Sequence, residues 1–212
     1  MTDSKRFEPL PAEVLASIAS RGGIKRYPTH AVLITESDSA ETLYVILSGR
    51  VKVYTANEAG RELILTLQGA GEYLGELALD DGVRSASLMT LEPTTCAVVT
   101  GAKLRDFVAA HPGFAHHLIV NLIRRVRRLT GSAKSLALDD VHSRIAALLD
   151  NMARDKGAER RVSHKLTQQA TAEHIGSSRE MVSRVFKELT VGGYVAVQGG
   201  RIRLLKKLPA AG

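Results

Sequence analysis

Short runs of β-branched and aliphatic residues, separated by glycines at near-regular intervals, fill the chain from Ile24 to Val99. Many short strands at such spacing are typical of an antiparallel barrel or jelly roll, in which glycine permits the tight turns. A short helix is expected beside this barrel at Pro11–Ser20. The predicted strands are Ala31–Ile34, Thr42–Leu47, Val51–Tyr54, Glu62–Leu67, Ser85–Met89 and Cys96–Val99, with turns at Gly49, Gly60, Gly71 and Gly82.

A different periodicity begins after the break at His111-Pro112-Gly113. Apolar residues then recur at alternating spacings of three and four, at Ile119, Leu122, Val126, Leu129, Ala133 and Leu136. We call these six residues the seam. They predict a helix that pairs with a second copy of itself as a coiled coil, and the flanking Arg124, Arg125, Arg127 and Arg128 are expected in solvent. The alternative is a helix packed only on its own barrel, and Gly131 weakens the helix locally.

Positive charge is concentrated in the last third of the chain. The net charge is +7, and residues 140–212 hold 13 Lys and Arg against 7 Asp and Glu. Such an excess suits a module that binds a polyanion, although a solvated basic surface has the same composition. Asp139-Asp140 is the candidate hinge before this region, a second amphipathic helix follows from Val141 to Met152, and a polar loop is expected at Asp155–His164.

The segment from Leu166 to Leu189 predicts a helix-turn-helix. Thr167 can cap the first helix, Gly176 can adopt the positive φ of the turn, and Ser177 or Ser178 can cap the second helix. On the second helix an apolar stripe leaves Arg179, Glu180, Ser183, Arg184 and Lys187 on other faces. Arginine can pair with guanine and glutamate with cytosine in the major groove, although such residues are more often a solvated face. A hairpin around Gly199-Gly200, with Arg201-Ile-Arg, predicts a basic wing.

A second candidate site is the loop between Glu72 and Ala86. It can form a short helical turn whose backbone N–H groups, with the guanidinium of Arg84, hold a phosphate, while Glu76 accepts from a ribose hydroxyl. An arginine inside a barrel needs an anionic partner. Asp80, Asp81 or Glu76 can also provide it as a structural ion pair without any ligand, and the residues alone leave both interpretations open.

Several classes of protein are excluded or disfavoured by what the sequence lacks. A single cysteine, Cys96, excludes an intramolecular disulfide and a CxxC metal site, and its apolar neighbours predict a buried core thiol. Neither a membrane span nor a Walker loop, HExxH or GxSxG motif is present, so we expect a cytoplasmic protein that is not an enzyme, binds no metal and has no membrane partner.

Taken together, these motifs resemble the cyclic AMP receptor protein and fumarate–nitrate reductase regulator (CRP/FNR) superfamily. The resemblance is carried by Ile24-Lys-Arg-Tyr-Pro28, Ala40-Glu-Thr-Leu-Tyr44, Gly75-Glu-Leu-Ala-Leu79, Arg84-Ser-Ala86, Ser178-Arg-Glu180 and Val182-Ser-Arg184. It implies an α+β protein with a jelly-roll sensor at residues 1–112, a dimerisation helix at 113–138 and a winged helix-turn-helix at 139–212. It also implies a homodimer that binds double-stranded DNA and RNA polymerase.

The resemblance further implies the site residues. Gly75, Glu76, Leu77, Arg84, Ser85 and Thr130 correspond to positions that contact a cyclic nucleotide, with cyclic AMP expected and cyclic GMP or cyclic di-GMP as alternatives. Leu129 stands where a second hydroxyl residue is usual, which bears on base selectivity. Arg179, Glu180 and Arg184 resemble residues that read TGTGA-type palindromic half-sites, whereas Thr167, Gln168 and Ser178 fall at DNA backbone contacts. Thr171 replaces a larger aliphatic residue of the first helix.

Two other functions compete with this one. The barrel could sense haem, for which His111, His116, His117 and His142 are the candidate ligands, although scattered histidines are more often surface residues. The chain could also be a regulatory subunit of a cyclic-nucleotide-controlled enzyme, although it carries no catalytic constellation and no second large domain.

Overall fold

The computed structural model describes residues 10–80, 82–156, 159–162, 166–198 and 201–209. Its contacts form two compact units. The first comprises Ile64–Arg127 with the described part of Lys5–Ala56, and the second comprises Asn57–Leu63 with the described part of Arg128–Gly212. The predicted α+β fold is confirmed, with a β-rich N-terminal part followed by helices and a helix-turn-helix.

The N-terminal part consists of two antiparallel sheets and a short first helix. Helix α1 spans Ala12–Ala19, as predicted within a residue. The strands are β1 Gly23–Tyr27, β2 Val32–Ile34, β3 Thr42–Ser48, β4 Arg50–Ala56, β5 Glu62–Gly69, β6 Tyr73–Leu74, β7 Ser87–Thr90 and β8 Thr94–Thr100. A 3₁₀ helix at Glu76–Leu79 follows β6 and confirms the expected helical turn. One sheet has the order β1-β8-β3-β6 and the other β2-β7-β4-β5, the interleaved order of a jelly roll.

The strand predictions needed correction: β4 and β5 each extend two residues further, to Ala56 and Gly69, and β8 begins at Thr94 rather than Cys96. β1 and β6 were not expected as strands, and β7 begins at Ser87 rather than Ser85. β1 is largely exposed and, among the strands that the structure describes, pairs only with β8, while β6 has two residues, so neither shows an alternating pattern over a useful length. Ser85 and Ala86 instead line the cleft described below.

Apolar residues of the two sheets form two buried layers, one between the sheets and one against the helices. Cys96, Ile46, Val51 and Leu88 are buried between the sheets, and burial raises the pKa of the Cys96 thiol to about 11. The predicted inert core thiol is therefore confirmed. On the other side of β3 and β8, alternate residues such as Leu43, Val45, Ala97 and Val99 pack against helices.

Two helices follow the sheets. α2 spans Gly101–Ala110, and α3 spans Pro112–Leu138, so the predicted break at His111 is confirmed. The first half of α3 buries Phe114, Leu118 and Asn121 in the core. The expectation that this helix is solvated outside the seam is therefore wrong for its first half. No helix in the described ranges combines the length and apolar character that crossing a bilayer requires.

The C-terminal part has its own core, built from three helices and a sheet. Its elements are α4 Val141–Met152, β9 Ala153–Lys156, β10 Glu159–Val162, α5 Gln168–Ile175, α6 Arg179–Val191, β11 Val195–Gln198 and β12 Arg201–Leu204. Asp140 caps α4 by accepting a hydrogen bond from the Ser143 N–H at 2.7 Å. The strands form one antiparallel sheet in the order β11-β12-β10-β9.

The prediction of a polar loop at Asp155–His164 is wrong for those of its residues that the structure describes. β9 and β10 form a hairpin there, because β10 pairs with both β9 and β12 and buries Val162 beside Ala153. A segment so rich in charged residues has no strand periodicity of its own, and pairing with β12 decides its structure. Residues 157, 158, 163 and 164 of the predicted loop, and the Gly199-Gly200 turn, lie outside the described residues.

Candidate functional site

A cleft opens on the barrel where β6 leads into the 3₁₀ helix. It holds about 340 Å³ of empty space, part of it open to solvent, and is lined by Ile34, Val53, Leu74, Gly75, Glu76, Leu77, Arg84, Ser85, Ala86, Ser87, Leu88 and Arg125. The sequence therefore identified five of the lining residues, Gly75, Glu76, Leu77, Arg84 and Ser85. Gly75 has φ +90, and a Cβ there would lie 2.5 Å from the Thr42 carbonyl oxygen. Only glycine permits this close approach.

Arg84 is the buried cation of the cleft, with 5% of its surface exposed. Its guanidinium donates to the carbonyl oxygens of Thr42 at 2.7 Å and Gly75 at 3.3 Å, and to Thr42 Oγ1 at 3.2 Å. Burial lowers the pKa of Arg84 from its ordinary value, an effect that nearby acidic residues oppose. These three acceptors are uncharged, so the guanidinium keeps its full positive charge at the wall of the cleft.

The proposed structural ion pair of Arg84 does not form with Glu76 or Asp80. Among the described residues, the side-chain hydrogen bonds of Arg84 are those to Thr42 and Gly75, and Asp81 lies outside the described residues. Glu76 pairs with Arg125 instead. A buried cation bounded by neutral acceptors and open to a cleft is suited to hold an anion.

Sequence reasoning missed Arg125. It placed this residue with the solvated arginines of α3, but Arg125 donates to Oε1 of the buried Glu76. The available signal was a second helical stripe, since Phe114, Leu118, Asn121 and Arg125 recur every three or four residues. Thr130, five residues further along α3, is exposed and is not among the residues that line the cleft.

A buried polar network joins α3 to β6. Asn121 Nδ2 donates to the Tyr73 hydroxyl at 3.2 Å and lies 2.8 Å from His117 Nε2. Burial raises the pKa of Tyr73 to about 12, so its hydroxyl stays protonated at neutral pH. Because Tyr73 lies three residues before Glu76, the network anchors the strand that leads into the cleft.

Replacing Tyr73 with phenylalanine is expected to lower the free energy of unfolding by about 1 kcal/mol, because one buried hydrogen bond is lost while the ring is kept. Urea denaturation followed by circular dichroism measures the change. Tyr54→Phe is the matched control, since the Tyr54 hydroxyl makes no hydrogen bond among the described residues. Equal unfolding midpoints for the two variants would contradict this role.

The second candidate site is the helix-turn-helix, and the structure confirms its predicted caps. Thr167 accepts from the Ala170 N–H at 3.0 Å, and Ser178 accepts from the Met181 N–H at 3.2 Å. Gly176 has φ +62 in the turn. Thr171 is fully buried and donates its hydroxyl to the Thr167 carbonyl at 2.9 Å, so the smaller residue packs without an unsatisfied polar group.

Helix α6 separates a buried stripe from a polar one. Val182, Val185, Phe186 and Leu189 are buried, whereas Arg179, Glu180, Ser183, Arg184 and Lys187 are exposed. The last four are spaced at three and four residues and so share one side of the helix. Gln168 is exposed at the start of α5, and β11 pairs with β12 as the predicted wing.

Three of the four candidate haem ligands make contacts within the protein. The His111 ring stacks on Phe107 at 4.0 Å, His117 contacts Asn121, and His142 Nε2 lies 3.0 Å from Glu188. These contacts give the histidines structural roles. No group of three or more metal-binding side chains occurs among the described residues.

Both sites match known family models. Residues 24–111 match the cyclic nucleotide-binding domain, and residues 143–208 match the Crp-like helix-turn-helix domain. The chain is 33% identical over 187 residues to the cAMP-activated global transcriptional regulator CRP of Pasteurella multocida, a match that covers 84% of this chain and 88% of that protein. The chain belongs to the CRP/FNR family of transcription regulators. The predicted family, the DNA-binding helix-turn-helix and the cyclic-nucleotide domain are thereby confirmed.

Other relatives of this CRP/FNR regulator differ in the nucleotide that their names mention. The CRP-like cAMP-activated global transcriptional regulator of Mycobacterium tuberculosis is 29% identical over 198 residues, covering 91% of this chain and 88% of that protein. The structure of the c-di-GMP responsive global regulator CLP of Xanthomonas campestris is 28% identical with a TM-score of 0.81, covering 92% of this chain and all of that one. Membership of the family therefore leaves the nucleotide of this regulator open.

Proposed function

We propose that this CRP/FNR regulator is a homodimer that binds a palindromic TGTGA-like operator and is controlled by a cyclic nucleotide, cyclic AMP first, in the barrel cleft. Its proposed parts are a sensor at residues 1–112, a dimerisation helix at 113–138 and a DNA-binding domain at 139–212. It acts in the cytoplasm with RNA polymerase and has no catalytic role of its own. The observation that carries the effector assignment is the buried Arg84 guanidinium, bounded by neutral acceptors at the cleft.

Different residues of the cleft would hold the phosphate, the ribose and the base of the nucleotide. Arg84, Ser85 and the backbone near Gly75 and Leu77 would hold the cyclic phosphate, and Glu76, oriented by Arg125, would accept from the ribose 2′-hydroxyl. Thr130, beside the seam residue Leu129, is proposed to contact the base. A threonine hydroxyl can donate or accept a hydrogen bond, so it suits more than one purine edge.

Calorimetric titration of the full chain with cyclic AMP, cyclic GMP and cyclic di-GMP tests the effector. We expect one of the three to bind and to change operator affinity. By linkage, operator DNA must then change the affinity for that nucleotide by the same factor. An operator affinity that none of the three nucleotides changes would contradict cyclic-nucleotide control, and a Soret band in the purified protein would support haem instead.

On the DNA side, we propose that Arg179, Glu180 and Arg184 read bases, while Thr167, Gln168 and Ser178 contact the backbone. The exposed α6 stripe supports this proposal, because its polar residues begin at the helix N-terminus, the end that enters the major groove. A selection from random duplexes would yield the operator.

Arg179→Ala or Arg184→Ala is expected to weaken operator binding by about 1–3 kcal/mol and to relax base preference at one position of each half-site. Lys187→Ala is the control, since loss of a lysine that contacts phosphate lowers affinity for every sequence alike. Fluorescence anisotropy with the operator and its single-base variants gives both quantities. If Arg179→Ala weakens all duplexes by one factor, Arg179 does not read bases.

A further inference from the structure

The hairpin of β9 and β10 enlarges the sheet of the wing from two strands to four among the described residues. One face of this sheet is apolar and packs on the helices. Its buried residues are Ala153, Val162, Val195, Ile202 and Leu204. Successive strand residues point to opposite faces, so the residues between them lie on the other face.

That other face carries a row of arginines. Arg161 of β10 is paired directly with Arg154 of β9 on one side and with Arg203 of β12 on the other. Arg201 lies two residues before Arg203 and therefore on the same face. Arg154 and Arg201 are exposed, and Arg161 and Arg203 are half-buried. We call these four residues the arginine row.

Four arginines on one face of the sheet concentrate positive charge there. Like charges directly opposite each other on neighbouring strands destabilise the pairing, and here the row places two such pairs side by side. A polyanion reverses the sign of this effect, because each phosphate that the row contacts reduces the repulsion within it. Arginine also binds phosphate through two parallel N–H groups.

Spacing and position favour the backbone of DNA as that polyanion. Three adjacent strands place Arg154, Arg161 and Arg203 over about 10 Å, a length of helix axis along which one DNA strand carries about three phosphates. The row also continues from β12 of the wing, in the part of the chain that holds 13 Lys and Arg against 7 Asp and Glu.

We propose that the arginine row is a second DNA-binding surface, which contacts the phosphate backbone without reading sequence and is separate from the base-reading side of α6. The inference rests on the proposed DNA-binding function. It differs from that function in its consequence, because backbone contacts change the salt dependence of binding and not the preference among sequences.

The test is the salt dependence of duplex binding by the full chain. Anisotropy is measured between ~50 and ~300 mM salt with a long duplex that carries the selected operator, and with a scrambled duplex of equal length. The main variant is Arg161→Gln with Arg203→Gln. A second variant, Arg154→Gln with Arg201→Gln, changes only exposed positions and so spares the fold. Arg160→Gln is the matched control, because Arg160 lies on the same hairpin, its side chain is on the opposite face, and it pairs with Asp150 at 3.0 Å.

We expect each double variant of the proposed dimer to reduce the slope of log affinity against log salt by about 3.6, since two phosphate contacts are lost in each subunit and each lost contact removes about 0.9. Affinity should fall by the same factor for operator and scrambled duplex. The control should keep the wild-type slope, and a third variant with lysine at 161 and 203 should keep most of it because the charge remains.

Wild-type slopes in both double glutamine variants, with unchanged circular dichroism, would overturn the proposal. So would unchanged duplex binding with a reduced transcript yield in vitro, because that result assigns the row to a protein surface. Failure of the proposed function is a distinct result: the wild-type chain would then bind operator and scrambled duplex equally, whatever the slopes of the variants.

Discussion

Replacing Arg84 with leucine is expected to abolish nucleotide control of operator binding. The guanidinium would supply two charge-assisted hydrogen bonds to the phosphate, each worth about 1.5–3 kcal/mol, so nucleotide affinity should fall at least ~100-fold. Operator affinity with saturating nucleotide should then equal that of the nucleotide-free protein. Calorimetry gives the first quantity, and anisotropy with and without nucleotide gives the second.

Stability has to be separated from binding in this experiment. Arg84 also satisfies the carbonyl oxygens of Thr42 and Gly75, so leucine leaves buried acceptors unpaired at about 1–3 kcal/mol each. Arg84→Lys keeps the charge but loses the fork, and we expect it to bind nucleotide with intermediate affinity. Arg50→Leu is the control, because Arg50 forms an exposed ion pair with Glu92 on the same barrel. A folded leucine variant that still responds to nucleotide as the wild type does would refute the role of Arg84.

The helix-turn-helix could be predicted from the sequence because each of its signals is local. Thr167 and Ser178 each bond an N–H three residues further along, and Gly176 needs only its own positive φ. Most of the short strands of the barrel, though not β1 and β6, were predictable for the same reason, since turn glycines and alternating residues lie close together in the chain.

Contacts between segments that are distant in the chain could not be predicted from the sequence pattern. Arg125 and Glu76 are 49 residues apart, and Arg125 is one of four similar arginines on α3. The stripe of Phe114 and Asn121 indicates which arginine turns inward, but only the packing of α3 on β6 brings Arg125 to Glu76. The β9–β10 hairpin is a second case, because its strand character comes from pairing with β12, some forty residues later.

Most seam residues on α3 are exposed in a single chain, which supports the proposed dimer. Leu122 is 39% exposed, Leu129 46% and Val126 62%. A heptad stripe of this length buries its apolar residues when a second helix packs against it. The same helix turns Asn121 and Arg125 toward the barrel, so its two stripes have different partners.

The double variant Leu122→Asp with Leu129→Asp is therefore expected to dissociate the proposed dimer. Each subunit would bring two carboxylates into an apolar interface, at a cost of several kcal/mol per buried ion, so the dimer dissociation constant should rise at least ~1,000-fold. Sedimentation velocity at micromolar concentration measures this change. Arg127→Asp is the matched control, because Arg127 is exposed and lies one residue past Val126 on the flank of the seam.

The DNA consequence distinguishes a broken dimer from a damaged protein. A monomer keeps one intact α6, so the variant should still bind a single half-site as the wild-type subunit does. It should lose the gain in affinity that two linked half-sites give, because binding the second site is no longer intramolecular. A variant that sediments as the wild type does, or a wild-type chain that is monomeric at micromolar concentration, would show that the seam is not the dimer interface.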